Sequence, residues 1–126
     1  MKEFKIFVND KTGELARVTE ALAAQAVNIK ALASESGSPK AFLRVVTGDV
    51  ATTEKALKNA GLPFELNEIL DLELMDRPGE LAKIARRLAR QGVNVESIYI
   101  LETKNGKTLI AMTVSDLARA REAVGG

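Results

Sequence analysis

Asp-x-x-Gly-Glu-Leu occurs twice in this chain, at Asp10–Leu15 and at Asp76–Leu81. Each copy lies between an alternating apolar run and a helical one, so each opens a helix. The first N–H groups of a helix have no intrahelical partner, and the helix dipole favours negative charge there. Gly13 and Gly79 carry no Cβ to hold a ligand away from that backbone. The chemistry on offer is capture of a small anion, such as the carboxylate of an amino acid, by backbone amides. Asn28 and Asn94, where the next strand begins, add a donor and an acceptor able to read an amino or carboxylate group. Plain structural roles compete for the same residues. Asp10 and Asp76 read equally as helix caps, the glycines as turn residues, and Glu14 and Glu80 as acids that compensate the dipole.

Composition narrows the field. The 126 residues include no Cys and no His. Disulfides, thiolate metal sites and Cys nucleophiles are thereby excluded, and the usual general base near neutral pH is missing. Asp76 and Glu80, close together at a helix start, read as capping residues and not as a catalytic pair. No Ser, Thr or Lys has a base beside it, and no glycine run cradles phosphate. We therefore assign no catalytic residue, no metal and no cofactor, and expect no enzyme. A net charge of +1 and only 4% aromatic residues argue against nucleic acid. No run approaches the roughly 20 apolar residues of a membrane span. The opening Met1-Lys2-Glu3-Phe4 carries an early acid and alternates like a strand, so no leader peptide is read and the cytoplasm is the expected location.

The elements that must hold these loops also repeat. A shift of 66 residues lays Asp10–Ile29 over Asp76–Val95, with ten of 20 positions identical: Asp, Gly, Glu, Leu, Ala, Leu, Ala, Gln, Val and Asn in that order. After a one-residue insertion Asp49 stands over Asp116. The chain is a tandem duplication, divided into residues 1–68 and 69–126.

Phe4, Ile6 and Val8 alternate with Lys5 and Phe7, and Leu70, Leu72 and Leu74 with Asp71 and Glu73, as in strands with one apolar face. Leu15, Val18 and Leu22 recur at helical spacing, as do Leu81, Ile84 and Leu88. Pro78 suits a first helical turn, and Gly92, with Ala26 as its counterpart, closes the helix. Strands over 27–34 and 93–101 follow, then a turn at Gly37-Ser38-Pro39 and a hairpin at Asn105-Gly106. Strands over 41–47 and 108–114, helices over 50–60 and 115–124, and a strand over 64–68 complete the order βαββαβ. The fold class is α+β, two ferredoxin-like units with antiparallel sheets and helices on one face. The second unit lacks its last strand, which leaves the strand over 71–75 at an open edge. A unit of about 60 residues is marginal alone, so pairing through sheet edges and a homodimer are expected.

The segments DKTGELARVTEALAAQAVNI and DRPGELAKIARRLARQGVNV resemble a tandem pair of ACT domains, small amino-acid-sensing modules of amino-acid metabolism. The order of elements carries the likeness over nearly the whole chain. It is similar to stand-alone two-domain ACT proteins, and each unit also resembles the regulatory subunit of acetolactate synthase. The resemblance implies a non-catalytic regulator that binds a small amino acid where two domains pair edge to edge. It signals to a partner enzyme or to oligomeric state. The loop glycine and helix amides would come from one domain and the strand asparagine from its neighbour. Carried over, Asp10, Gly13, Glu14 and Leu15 would meet Asn94, and Asp76, Gly79, Glu80 and Leu81 would meet Asn28. Thr12 replaces the usual Pro and Ala26 the usual Gly, so the first unit departs further from the pattern. Asp10 and Asp76, where acetolactate-type regulators often have Asn, suit a ligand's ammonium group better than its carboxylate.

Two rival readings stand beside this one. The loops could be vestigial and the chain a structural subunit. Alternatively Lys83, Arg86, Arg87 and Arg90, a basic stripe at helical spacing, could be a solvated face, a dock for an acidic enzyme surface or a contact for nucleic acid. RNA recognition on this element order needs aromatics on the first and third strands, and there the sequence offers Phe7.

Overall fold

The computed structural model describes residues 1–37 and 40–125. It divides into two compact units, Met1–Asn67 and Glu68–Gly126. The first contains β1 (Lys2–Val8), α1 (Glu14–Ala24), β2 (Ile29–Glu35), β3 (Ala41–Thr47), α2 (Val50–Asn59) and β4 (Phe64–Glu68). Its four strands lie in the order β2-β3-β1-β4, with β3 antiparallel to both β1 and β2. Alternation puts Phe4 and Ile6 of β1 and Leu43 and Val45 of β3 on one face. Val18 and Leu22 of α1 and Ala56 and Leu57 of α2 bury against them. The face turned from the helices is not simply polar surface. Glu3 is fully buried there and accepts hydrogen bonds from Arg44 Nη1 and Asn67 Nδ2, each at 3.0 Å. Arg44 Nε also donates to Glu35 at 2.9 Å. Burial works against the Arg44 charge, but the bond to Glu35 and the charges of Glu3 and Glu35 outweigh it and raise its pKa.

The second unit contains β5 (Leu70–Met75), α3 (Glu80–Arg90), β6 (Val95–Lys104), β7 (Lys107–Val114) and α4 (Leu117–Val124). Its strands run β5-β7-β6, both pairs antiparallel. Leu70, Ile84, Leu88, Ile110, Met112 and Ala120 form its core. β5 has β7 on one side, and among the described residues its sheet holds no strand on the other. Asn105 and Gly106 take φ values of 54° and 73°, the two positive angles of a type I′ hairpin. Gly37 is described, whereas Ser38 and Pro39 of the expected turn in the first unit lie outside the described residues.

β2 and β6 begin two residues later than their apolar runs. Val27 and Val93 donate their amides back to Leu22 and Leu88 at 3.0 Å, while Ala26 and Gly92 donate to Ala23 and Ala89 at 2.9 and 3.0 Å. This is the Schellman ending, and its left-handed residue is Ala26 in one unit and Gly92 in the other, at φ 56° and 69°. Both valines serve the helix end before the strand can start.

Candidate functional site

The two loops enter their helices through a left-handed glycine. Gly13 (φ 95°) and Gly79 (φ 87°) are the N-cap residues of α1 and α3, and no side chain caps either helix. A non-glycine residue would strain that angle by roughly 1–2 kcal/mol. Because the bend sits at Gly79, α3 begins at Glu80, and Pro78 falls ahead of the cap instead of in the first turn. Asp10 and Asp76 are exposed and cap neither helix, against the plainest reading of an acid in that place. The other two helices are sealed. Asp49 Oδ1 accepts from Thr52 N at 3.1 Å and Asp116 Oδ1 from Arg119 N at 3.0 Å. The hydrogen bonds at Thr52 hold the Asp49 carboxyl below its ordinary pKa. Among the described residues, the helices that carry the duplicated motif are thus the two whose cap residue offers no side chain to the opening amides, although the Glu80 amide donates to Arg77 O at 3.4 Å.

Each loop lines a small hollow, of about 140 Å³ in the first unit and about 130 Å³ in the second. The linings correspond position by position: Val8 to Leu74, Asn9 to Met75, Asp10 to Asp76, Lys11 to Arg77, Glu14 to Glu80, Leu15 to Leu81 and Ser34 to Ile100. Strand register fixes the equivalence, since Ser34 faces Leu43 as Ile100 faces Ile110, and Val8 faces Ala41 as Leu74 faces Thr108. Leu15 and Leu81 are 51% and 41% exposed beside these hollows. The motif named only one side of each hollow. The strand side, Ser34 and Ile100 above all, went unread, although continuing the 66-residue shift past Asn94 would have set them against each other.

Glu14 and Glu80 are placed alike and bonded differently. Glu14 is 6% exposed, and its Oε2 accepts from the Asn9 amide at 3.1 Å, with Arg17 at 3.7 Å. Glu80 Oε1 sits between Arg77 Nε at 2.7 Å and Lys83 Nζ at 3.2 Å. Those two bonds, Arg77's first, hold the Glu80 carboxyl below its ordinary value. Neither carboxylate is left for catalysis.

The asparagines lie elsewhere. Asn28 and Asn94 are exposed, and the backbone of Asn94 is pinned to Ser115 by two bonds of 2.9 Å. Asn28 precedes Ser34 by six residues of extended chain, about 20 Å. Within each unit the structure brings the aspartate, glycine, glutamate and leucine together at one end of the sheet and leaves the asparagine at the other.

Lys83, Arg86, Arg87 and Arg90 are all exposed along α3, and Lys83 is engaged by Glu80. Phe7 does have an aromatic partner that the sequence reading missed, since register sets Phe42 opposite it. Their rings meet edge-on at 5.8 Å, and Lys5 Nζ covers Phe42 at 4.2 Å. Among the described residues no group of three or more acids, His or Cys could hold a metal, and no helix is long and apolar enough to cross a membrane.

Comparison with known proteins gives a consistent answer. The model of a family described as an ACT domain pair matches residues 1–124. No protein of curated function matches the sequence. Among solved structures, protein BT0572 from Bacteroides thetaiotaomicron is similar with a TM-score of 0.86 and 27% identity, covering 98% of this chain and 85% of that one. The ligand-free regulatory subunit of aspartate kinase from Thermus thermophilus is similar at TM-score 0.67 and 20% identity, covering 98% and 89%. The same subunit from Thermus flavus gives 0.60 and 20%, covering 98% and 89%.

Proposed function

The chain belongs to the ACT domain pair family, and from that premise we propose that it is a non-catalytic regulator that binds a small amino acid at its duplicated loops. The carboxylate of the ligand is held by the uncapped amides that follow Gly13 or Gly79, and Asp10 or Asp76 takes the ammonium group. Asn28 and Asn94, remote from the loop of their own unit, complete the site of a neighbouring domain. The edge strands β2 and β6 carry exposed Leu32 and Ile98, apolar groups suited to edge-to-edge pairing in a homodimer. Binding shifts the protein toward the arrangement that holds ligand better, and the shift is read by oligomeric state or by a partner enzyme of amino-acid metabolism in the cytoplasm. The Thermus proteins of like fold are regulatory subunits of such an enzyme, aspartate kinase. One observation carries the reading: a left-handed glycine, an uncapped helix start and a small hollow recur together in both units.

The test is a thermal-shift screen of the twenty amino acids with calorimetry on each hit. A ligand at 100 times its Kd adds about 2.7 kcal/mol to stability. Gly13→Asp and Gly79→Asp place a carboxylate where the ligand's own must lie, and together should abolish the shift while the far-ultraviolet spectrum is kept. Undiminished affinity in both variants would refute the loop assignment, and no hit at millimolar concentration would favour a structural subunit.

A further inference from the structure

The two hollows differ where a ligand's side chain would rest. The second is walled by Met75, Leu81 and Ile100, which are 46%, 41% and 67% exposed, with buried Ile110 among its lining residues. At the positions of Met75 and Ile100 the first unit has Asn9 and Ser34, while Leu15 and Leu43 stand where Leu81 and Ile110 do. The charges around the second hollow are largely spent on each other, because Arg77 is bound to Glu80 at 2.7 Å. Asp76 is left beside an apolar wall. The hollow, about 130 Å³ and open to solvent, has room for the side chain of an aliphatic amino acid.

We propose that the hollow of the second unit selects amino acids with aliphatic side chains, such as leucine, isoleucine, valine or methionine, and that the hollow of the first does not. The inference rests on the reading of these loops as amino-acid sites and adds the class of side chain. Selection follows from covering Ile100, Leu81 and Met75, which a polar side chain cannot do without losing its own water. A difference of one methylene in such a site is worth roughly 10- to 200-fold, so a whole aliphatic side chain against a hydroxymethyl group reaches at least tenfold.

The test is calorimetry on the full chain with leucine, isoleucine, valine, methionine, serine, asparagine and aspartate, alongside sedimentation velocity. Aliphatic ligands should bind at least about tenfold tighter than serine. Ile100→Ser, a change at an exposed position that leaves the core intact, should weaken leucine at least about tenfold and leave serine unchanged, and Ser34→Ile should add a second leucine site. Polar amino acids binding more tightly, or unchanged leucine selectivity in Ile100→Ser, would overturn the inference while the loops stand as amino-acid sites. A variant that alters only the oligomeric state assigns Ile100 to a contact between copies and also overturns it. If no amino acid binds the unaltered chain, the reading beneath the inference fails first.

Discussion

Glu3, Arg44 and Glu35 form a charged chain on the face of the first sheet turned from its helices, and the repeat puts Ile69 and Ala111 in the places of Glu3 and Arg44, while strand register sets Glu102 where Glu35 stands. Ile69 and Ala111 are 7% and 0% exposed, so the second unit fills with apolar atoms what the first fills with an ion network. Desolvating a charge pair consumes most of what the pair returns, and well-packed apolar groups of similar volume often do as well or better. The duplication has run that exchange within one chain. The network is nonetheless unforgiving once present, because removing one member strands the others.

The largest effect follows from that asymmetry. Glu3→Ala should destabilise the protein by about 3–5 kcal/mol in urea unfolding, whereas the double exchange Glu3→Ile, Arg44→Ala should cost much less. A double exchange as costly as the single one would show that the two units are not interchangeable there. Next comes the pair of loop glutamates. Glu14→Ala leaves the amide of Asn9 without its acceptor and should cost about 1–3 kcal/mol. Glu80→Ala removes surface ion pairs and should cost less than Glu14→Ala. Equal losses would erase the distinction between a buried brace and a solvated one.

The third prediction concerns the helix ends. Ala26→Gly relieves a left-handed alanine and should stabilise the first unit by about 0.5–1 kcal/mol, and Gly92→Ala should cost a similar amount or more. The smallest effect is one of pH. The folded-state pKa of Glu80 is depressed, so its contribution is complete above the ordinary value of 4.5 and is lost as pH falls through the depressed one. Glu80→Gln should therefore lose stability less steeply than the unaltered chain on acidification below that value, measured as Tm against pH.

Much of this architecture was legible because it is written in periods. Two-residue alternation and helical spacing located β1, β5, α1 and α3, and the shift of 66 supplied the tandem plan. Boundaries were missed where a residue serves two elements, as Val27 and Val93 do when they close a helix before starting a strand. The Glu3 network was invisible because Glu3 reads as a strand's polar side, and only a buried partner 41 residues away makes it structural. The candidate site was half legible. Its loops form a local motif, but Ser34 and Ile100 reach the hollow through register across three strands, which no short motif records.

The contrast between sealed and open helices has a kinetic side. At α2 and α4 an aspartate holds the amides of Thr52 and Arg119, so solvent reaches those protons only when the cap lets go. At α1 and α3 the cap residue is a glycine with no side chain to hold the opening amides, and the Glu80 amide has only a long bond of 3.4 Å to Arg77 O. Hydrogen exchange at these amides would thus gauge occupancy of the proposed site. A ligand held there would slow the exchange clocks of α1 and α3, while those of α2 and α4 kept constant time beside them.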